Sequence, residues 1–303
     1  MMQSDIADRI KELKAERRAI ILAHNYQPPE IQDIADMTGD SLELSRRAAE
    51  TDASVIVFCG VAFMAETAAI LNPGRIVLLP RLEAGCPMAD MITSEDVKKV
   101  RSEHPDVPIV TYVNSTAAVK AESTACCTSA NSIRVVSSFK DADTVFMAPD
   151  QNLARYTARH TSKKILHWKG YCPFHHALQP EEVIRQKLEH PEALFLAHPE
   201  CRPEVLDLAD QVMSTSGMLR FVRVSPSESF IVGTEIGILH PMRRSCPHKA
   251  FYPASERMFC PDMKSISLGD VLISLETLEP RVSVPEDIRL RAAQAVDRML
   301  SIP

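Results

Sequence analysis

Glycine is scarce in this chain, nine among 303 residues, and neither GxGxxG nor GxxxxGKS/T occurs. The glycine-rich cradles that hold dinucleotides and nucleoside triphosphates therefore have no candidate, which argues against a dinucleotide oxidoreductase or a P-loop NTPase. No block of Lys and Arg stands against the net charge of −6, so general binding of nucleic acid is not expected. No apolar run reaches membrane-spanning length. The opening stretch MMQSDIADRIKELKAERRA reads as a charged amphipathic helix rather than a signal peptide, which leads us to expect a cytoplasmic protein with no membrane partner. Eight cysteines occur without one CxxC, which disfavours a zinc ribbon or a ferredoxin-type run. With no export signal, they read as thiols or metal ligands rather than as a disulfide framework.

What the chain does have is a repeat. Cys86, Cys172 and Cys260 are 86 and 88 residues apart. Apolar runs end in the polar triplets His24–Asn25–Tyr26, Tyr112–Val113–Asn114 and His198–Pro199–Glu200, which begin 62, 60 and 62 residues before those cysteines. Seventeen residues after the start of each triplet stands a hydroxyl, at Ser41, Ser129 and Thr215. Eleven residues after each cysteine, helix-like segments carry Val97, Val183 and Val271. Agreement of four registers identifies three units of one design.

Each unit reads as a helix, a strand ending in the triplet, a helix opening near the hydroxyl, a second strand (SVIVFCG, DTVFMAPD, ESFIVGTE), more helix and a last segment leading to the cysteine. Strands alternating with helices imply parallel βαβ units. The expected fold is α/β: three homologous three-layer αβα domains with parallel sheets around a pseudo-threefold axis. The expected boundaries are 1–86 together with 261–303, then 87–172, then 173–260, the C-terminal tail packing on the first unit to close a ring.

Around such an axis three thiolates converge on one point. Three ligands leave a metal site one position short, as a Lewis-acid catalyst requires, so the pattern points to catalysis more than to scaffolding. Ser41, Ser129 and Thr215 are expected as helix N-caps whose free N–H groups hold carboxylate or phosphate. Any one such hydroxyl is ordinarily a structural cap, and a lone histidine after a strand is ordinarily structural too. The matched offsets raise both above that background. Cys59 and Cys201 read as small buried hydrophobes, and Cys126, Cys127 and Cys246 have no counterpart in the repeat. His175, in a CxxH with Cys172, reads as a supporting residue more than as a zinc ligand.

The segments AHNYQ (23–27), GDS (39–41), AGCPMAD (84–90), TYVNS (111–115), GYCPFH (170–175), AHPEC (197–201), STSGM (214–218) and MFCPDMK (258–264) together resemble the quinolinate synthase family across nearly the whole chain. The resemblance implies an enzyme that condenses iminoaspartate with dihydroxyacetone phosphate to quinolinate, phosphate and water on the route to NAD. It further implies that Cys86, Cys172 and Cys260 hold one 4Fe-4S cluster per chain with an open iron. Glu200 is the expected general base, Tyr26 a group for proton transfers of the triose, and His24 and His198 carboxylate or proton handlers. Tyr112 and Asn114 are expected to orient substrate, with Ser41, Ser129 and Thr215 as anion-binding caps. Transient contact with an aspartate oxidase or dehydrogenase would supply the labile imine. Longer members carry a CxxCxxC near the third ligand; here those positions are Ala254 and Arg257, so no disulfide switch is expected there. The alternatives are another cluster-dependent dehydratase, a non-catalytic iron–sulfur redox sensor and a three-thiolate zinc hydrolase.

Overall fold

The computed structural model describes residues 3–302. Among them, twelve strands form three separate four-stranded sheets. The first contains β1 (Ala19–His24), β2 (Met37–Gly39), β3 (Val55–Cys59) and β4 (Ile76–Leu78); the second contains β5 (Ile109–Tyr112), β6 (Ala125–Cys127), β7 (Thr144–Ala148) and β8 (Lys164–His167). The third contains β9 (Leu194–Ala197), β10 (Gln211–Val212), β11 (Ser229–Gly233) and β12 (Ala250–Pro253). Every strand pairing is parallel, and each sheet runs in the same spatial order, second strand, first, third, fourth. The repeat read from four registers is thus a repeat of topology, and the fold is α/β with three αβα domains.

The central strands are apolar along their length because helices cover both faces of each sheet. β3 is buried at all five residues, and β1 at all but Ala19. β2, β6 and β10 run only three, three and two residues, too short to leave a periodic signal, and the sequence reading passed over them.

Helices Ser94–Glu103, Pro180–Glu189 and Leu268–Thr277 begin eight residues after the repeat cysteines, each beyond one short helical turn or helix. Their first turns close alike. Asp96 and Asp270 complete capping boxes with Thr93 and Ser267, and Glu182 accepts the amide of Gln179 at the same place. Val97, Val183 and Val271 lie one turn on, each buried in its unit's core. Their constant offset reflects one packing position used three times.

The tail makes contacts with more than one unit. Leu268–Thr277 lies against the helix Gln3–Arg17, and Val282 donates its N–H to the carbonyl of Val77 at the end of β4. The last helix, Glu286–Leu300, packs against Ala117–Ala121 and β6 of the second unit as well as Ala62–Leu71 of the first. Among the described residues no helix is long and apolar enough to cross a membrane.

Open parallel sheets place their working groups beyond the carboxyl ends of their strands. Here the first strand of every sheet, and the third strand of the first and third sheets, end at one cavity. Their spacing depends on tight contact inside each sheet, as at Gly233 on β11, where a Cβ would come within 2.6 Å of the Phe195 ring on β9. We predict that Gly233→Ala costs about 1–3 kcal/mol through overpacking. Adding Phe195→Leu should recover part of that loss in urea titrations; an alanine variant as stable as the parent contradicts the packing.

Candidate active site

Each unit sends four equivalent side chains into the central cavity. The first contributes His24, Tyr26, Ser41 and Cys86; the second Tyr112, Asn114, Ser129 and Cys172; the third His198, Glu200, Thr215 and Cys260. All twelve sequence candidates therefore meet. Each triplet leaves its strand in a turn or bend, and its first and third members line the cavity while Asn25, Val113 and Pro199 do not. The three repeat cysteines are partly exposed on this cavity, whereas Cys59, Cys126, Cys127, Cys201 and Cys246 are buried away from it.

The hydroxyls do not act as caps. Asp40 caps the helix Ser41–Glu50, its Oδ1 accepting from the amides of Leu42 at 3.1 Å and Glu43 at 3.0 Å. Ser214 caps Thr215–Val224 by accepting from Gly217, and Asn131 precedes the helix that follows Ser129. Ser41 and Thr215 thus stand one residue inside the helix, where the hydroxyl is not consumed by the first turn and turns to the cavity. The expectation of Ser41, Ser129 and Thr215 as N-caps is corrected accordingly, while their place in the cavity is as read.

Two of the triplets orient an imidazole in the same way. The amide of Tyr26 donates to Nδ1 of His24 at 3.2 Å, and the amide of Glu200 donates to Nδ1 of His198 at 3.3 Å. With Nδ1 accepting, the ring proton of the neutral form sits on Nε2, which in His198 lies 3.2 Å from Oγ of Ser129. Burial holds both rings uncharged, pushing His24 and His198 down to about 3.

Glu200 is buried, which alone would raise its carboxyl. The imidazole of His175 and hydrogen bonds from His175 and Tyr112 outweigh that and hold it below the usual carboxylate range, so it is an anion. His175 Nδ1 lies 2.8 Å from Oε2 of Glu200, and its Nε2 lies 2.8 Å from Oγ1 of Thr234. Thr234 is in turn 2.5 Å from the Tyr26 hydroxyl. One set of donors satisfies the whole chain: Tyr26 to Thr234, Thr234 to His175, His175 to Glu200. It joins the first unit's triplet to the third's. Burial, followed by the charge of Glu200, raises both Tyr26 and Tyr112 well above the usual phenol range, so both remain neutral donors.

Thr234, Asp150 and Glu235 escaped the sequence reading. Asp150 and Glu235 follow β7 and β11 at one repeat position; Asp150 Oδ2 accepts the amide of Cys172 and Glu235 Oε1 that of Cys260, each at 3.2 Å. The signal lay in DTVFMAPD and ESFIVGTE, but the first unit has Val61 there, which hid the match. His175, read as a supporting residue, stands 3.1 Å from the Cys172 sulfur.

Burial pushes the Cys86 thiol up to about 12 and Cys260 to about 11, and raises Cys172 well above the usual thiol range. Cys172, His175 and Glu200 place ligand atoms within 4.8 Å of one another, the one such group of three among the described residues. Of the three repeat thiols that group includes Cys172.

Residues 8–301 match the family described as Quinolinate synthetase A protein. The chain belongs to the quinolinate synthase family. The quinolinate synthase of Geotalea uraniireducens is 56% identical over 303 residues, covering all of this chain and 99% of that protein. Quinolinate synthase 1 of Methanosarcina acetivorans is 53% identical over 302 residues, with 100% and 99% covered, and the quinolinate synthase of Dehalococcoides mccartyi is 54% identical over 302 residues, with both chains covered in full. Likeness to quinolinate synthases thus runs through all three sheets and is not confined to the motifs.

A histidine whose folded value lies near 3 against about 6.5 when unfolded makes the unfolded chain the greater proton binder between those values. Stability is then full above about pH 6.5 and falls as pH drops toward 3. We predict that His24→Asn flattens this acid limb in urea midpoints measured between pH 7 and 4. A variant curve parallel to that of the parent contradicts a neutral buried His24.

Proposed function

We propose that this chain condenses iminoaspartate with dihydroxyacetone phosphate to quinolinate, releasing phosphate and water, on a 4Fe-4S cluster held by Cys86, Cys172 and Cys260. The observation that carries the reading is the meeting of one cysteine from each unit with polar side chains in a single cavity. The donor set fits such a group. Partly exposed thiols on a shared wall, two of them with a carboxylate fixing the backbone amide, supply three ligands and leave room for an exchangeable fourth position. Metal binding would displace the protons that burial keeps on these thiols.

When bound, the cluster supplies a Lewis-acid iron that polarises a substrate hydroxyl or carboxylate and assists dehydration. The chain's own groups do the rest. Glu200, an anion beside Tyr112 and His175, is the base that takes a proton from substrate carbon or nitrogen. Tyr26, a neutral phenol bonded to Thr234, donates and recovers a proton during rearrangement of the triose. Nε2–H groups of His24 and His198 and the hydroxyls of Ser41, Ser129 and Thr215 hold carboxylate and phosphate oxygens as hydrogen-bond donors. Asn114 offers a buried carbonyl oxygen that has no partner in the protein, suited to an imine or amine N–H. So many oriented donors have no purpose in a redox sensor. Iminoaspartate is labile in water, which favours transient delivery by an aspartate oxidase or dehydrogenase, and the whole sequence of steps belongs in the cytoplasm.

Cys86→Ala, Cys172→Ala and Cys260→Ala should each abolish the cluster in anaerobically purified protein, whereas Cys59→Ala and Cys126→Ala should retain it. Full iron in Cys86→Ala would overturn the ligand assignment. Glu200→Gln should keep its iron and lose turnover by about 100-fold or more, the span of general-base effects. Normal quinolinate formation in that variant removes Glu200 from the role of base. The decisive assay is quinolinate production from the two substrates; cluster without product favours the sensor.

A further inference from the structure

The loop that carries Cys260 is fastened to the first unit by a buried ion pair. Lys264, four residues beyond the cysteine, places Nζ 2.9 Å from Oε2 of Glu235 and also donates to the main-chain carbonyl of Tyr26. Glu235, with its side chain 1% exposed, divides its two oxygens. Oε1 accepts the amide of Cys260 at 3.2 Å, while Oε2 accepts the amide of Gly237 at 2.7 Å together with the ammonium. The space is fitted to this arrangement: a Cβ on Gly237 would come within 2.5 Å of Lys264 Nζ, 2.7 Å of the Tyr26 carbonyl and 2.8 Å of Oε2. A second tie runs alongside, from Gln27 Nε2 to the carbonyl of Met263 at 2.8 Å.

We infer that Glu235 and Lys264 form a positioning pair that sets Cys260 and Tyr26 together across the boundary between the third and first units. Asp150 does half of this work in the second unit. It accepts the amide of Cys172 and that of Leu153, but among the described residues it has no ion-pair partner. The lysine is the addition that reaches across to a neighbouring unit. It binds a backbone carbonyl and a carboxylate that have no other cation, so an uncharged side chain of similar length cannot replace it. The first unit's triplet and the third unit's cysteine are thereby held by the same charge. Glu235 lines the cavity and Lys264 does not; the role assigned to both runs through Cys260 and Tyr26. This inference rests on the proposed cluster and adds to it the device that holds one ligand in register with one proton donor.

Lys264→Met, Lys264→Arg and Glu235→Gln, purified without air beside the parent, test it. Circular dichroism should show all four folded. Iron release to a chelator should be about tenfold faster or more in Lys264→Met and Glu235→Gln, the usual effect of removing a group that orients a ligand. The cluster's midpoint potential should move in both, and turnover per bound cluster should fall in Lys264→Met with little change in KM. Lys264→Arg should recover much of each. If Lys264→Met fails to fold, Glu235→Gln, which keeps shape and volume, decides. Parental iron release and parental potential in Glu235→Gln and in any folded Lys264→Met overturn the inference while leaving the cluster in place. A parent chain that binds no iron overturns the cluster reading, and this inference with it.

Discussion

Ligands drawn from positions 86, 172 and 260 can serve one centre only if three sheets are fixed against one another, and that constraint governs the rest of the molecule. No local turn can bring these thiols together. The boundaries between units are therefore built from oriented hydrogen bonds in addition to apolar contact. Asn25 donates to Thr215 at 3.0 Å between the first and third units, and Ser214 donates to Asp40 there as well. Asn152 donates to the carbonyl of Glu200 at 2.9 Å between the second and third. Glu66 accepts the amide of Ala117 and the fully buried Lys120 donates to the carbonyl of Phe63 between the first and second. Directional bonds of this kind specify a relative placement that apolar contact alone leaves free to slide.

The same boundaries carry the chemistry. The chain from Tyr26 through Thr234 and His175 to Glu200 joins residues that begin in different units, and every member is withdrawn from water. Withdrawal sets their charges: the imidazoles of His24 and His198 stay neutral, the phenols stay protonated, and Glu200 keeps its charge because donors surround it. A chain with net charge −6 in this way presents neutral imidazole and phenol donors to anionic substrates beside the one anion, Glu200, that the proposed chemistry uses.

Much of this was legible in the residues because a threefold repeat turns weak signals into coincidences that can be counted. Spacing alone pointed to Cys86, Cys172 and Cys260, to the three triplets and to the three hydroxyls; the choice of Tyr26, Asn114 and Glu200 within the triplets came from the family resemblance. The role given to the hydroxyls did not survive. Spacing locates Ser41 and Thr215 near a helix start, but it cannot say that Asp40 and Ser214, one residue earlier, satisfy the first turn. Thr234, Asp150 and Glu235 were hidden for a different reason. Val61 breaks their pattern in the first unit, and a hydroxyl or carboxylate just past an apolar strand looks like ordinary solvent-facing loop. The short strands β2, β6 and β10 take their identity from their neighbours' hydrogen bonds, which no local pattern records.

The central claim is that these three thiols hold a cluster one of whose irons is free to meet substrate. Mössbauer spectra of the anaerobic chain reconstituted with 57Fe, recorded with and without added substrate, test it most directly. The account predicts four irons per chain, of which one changes its parameters when substrate binds while three do not. Four irons that all remain unchanged at saturating substrate, or a spectrum without a 4Fe-4S signature, would contradict it.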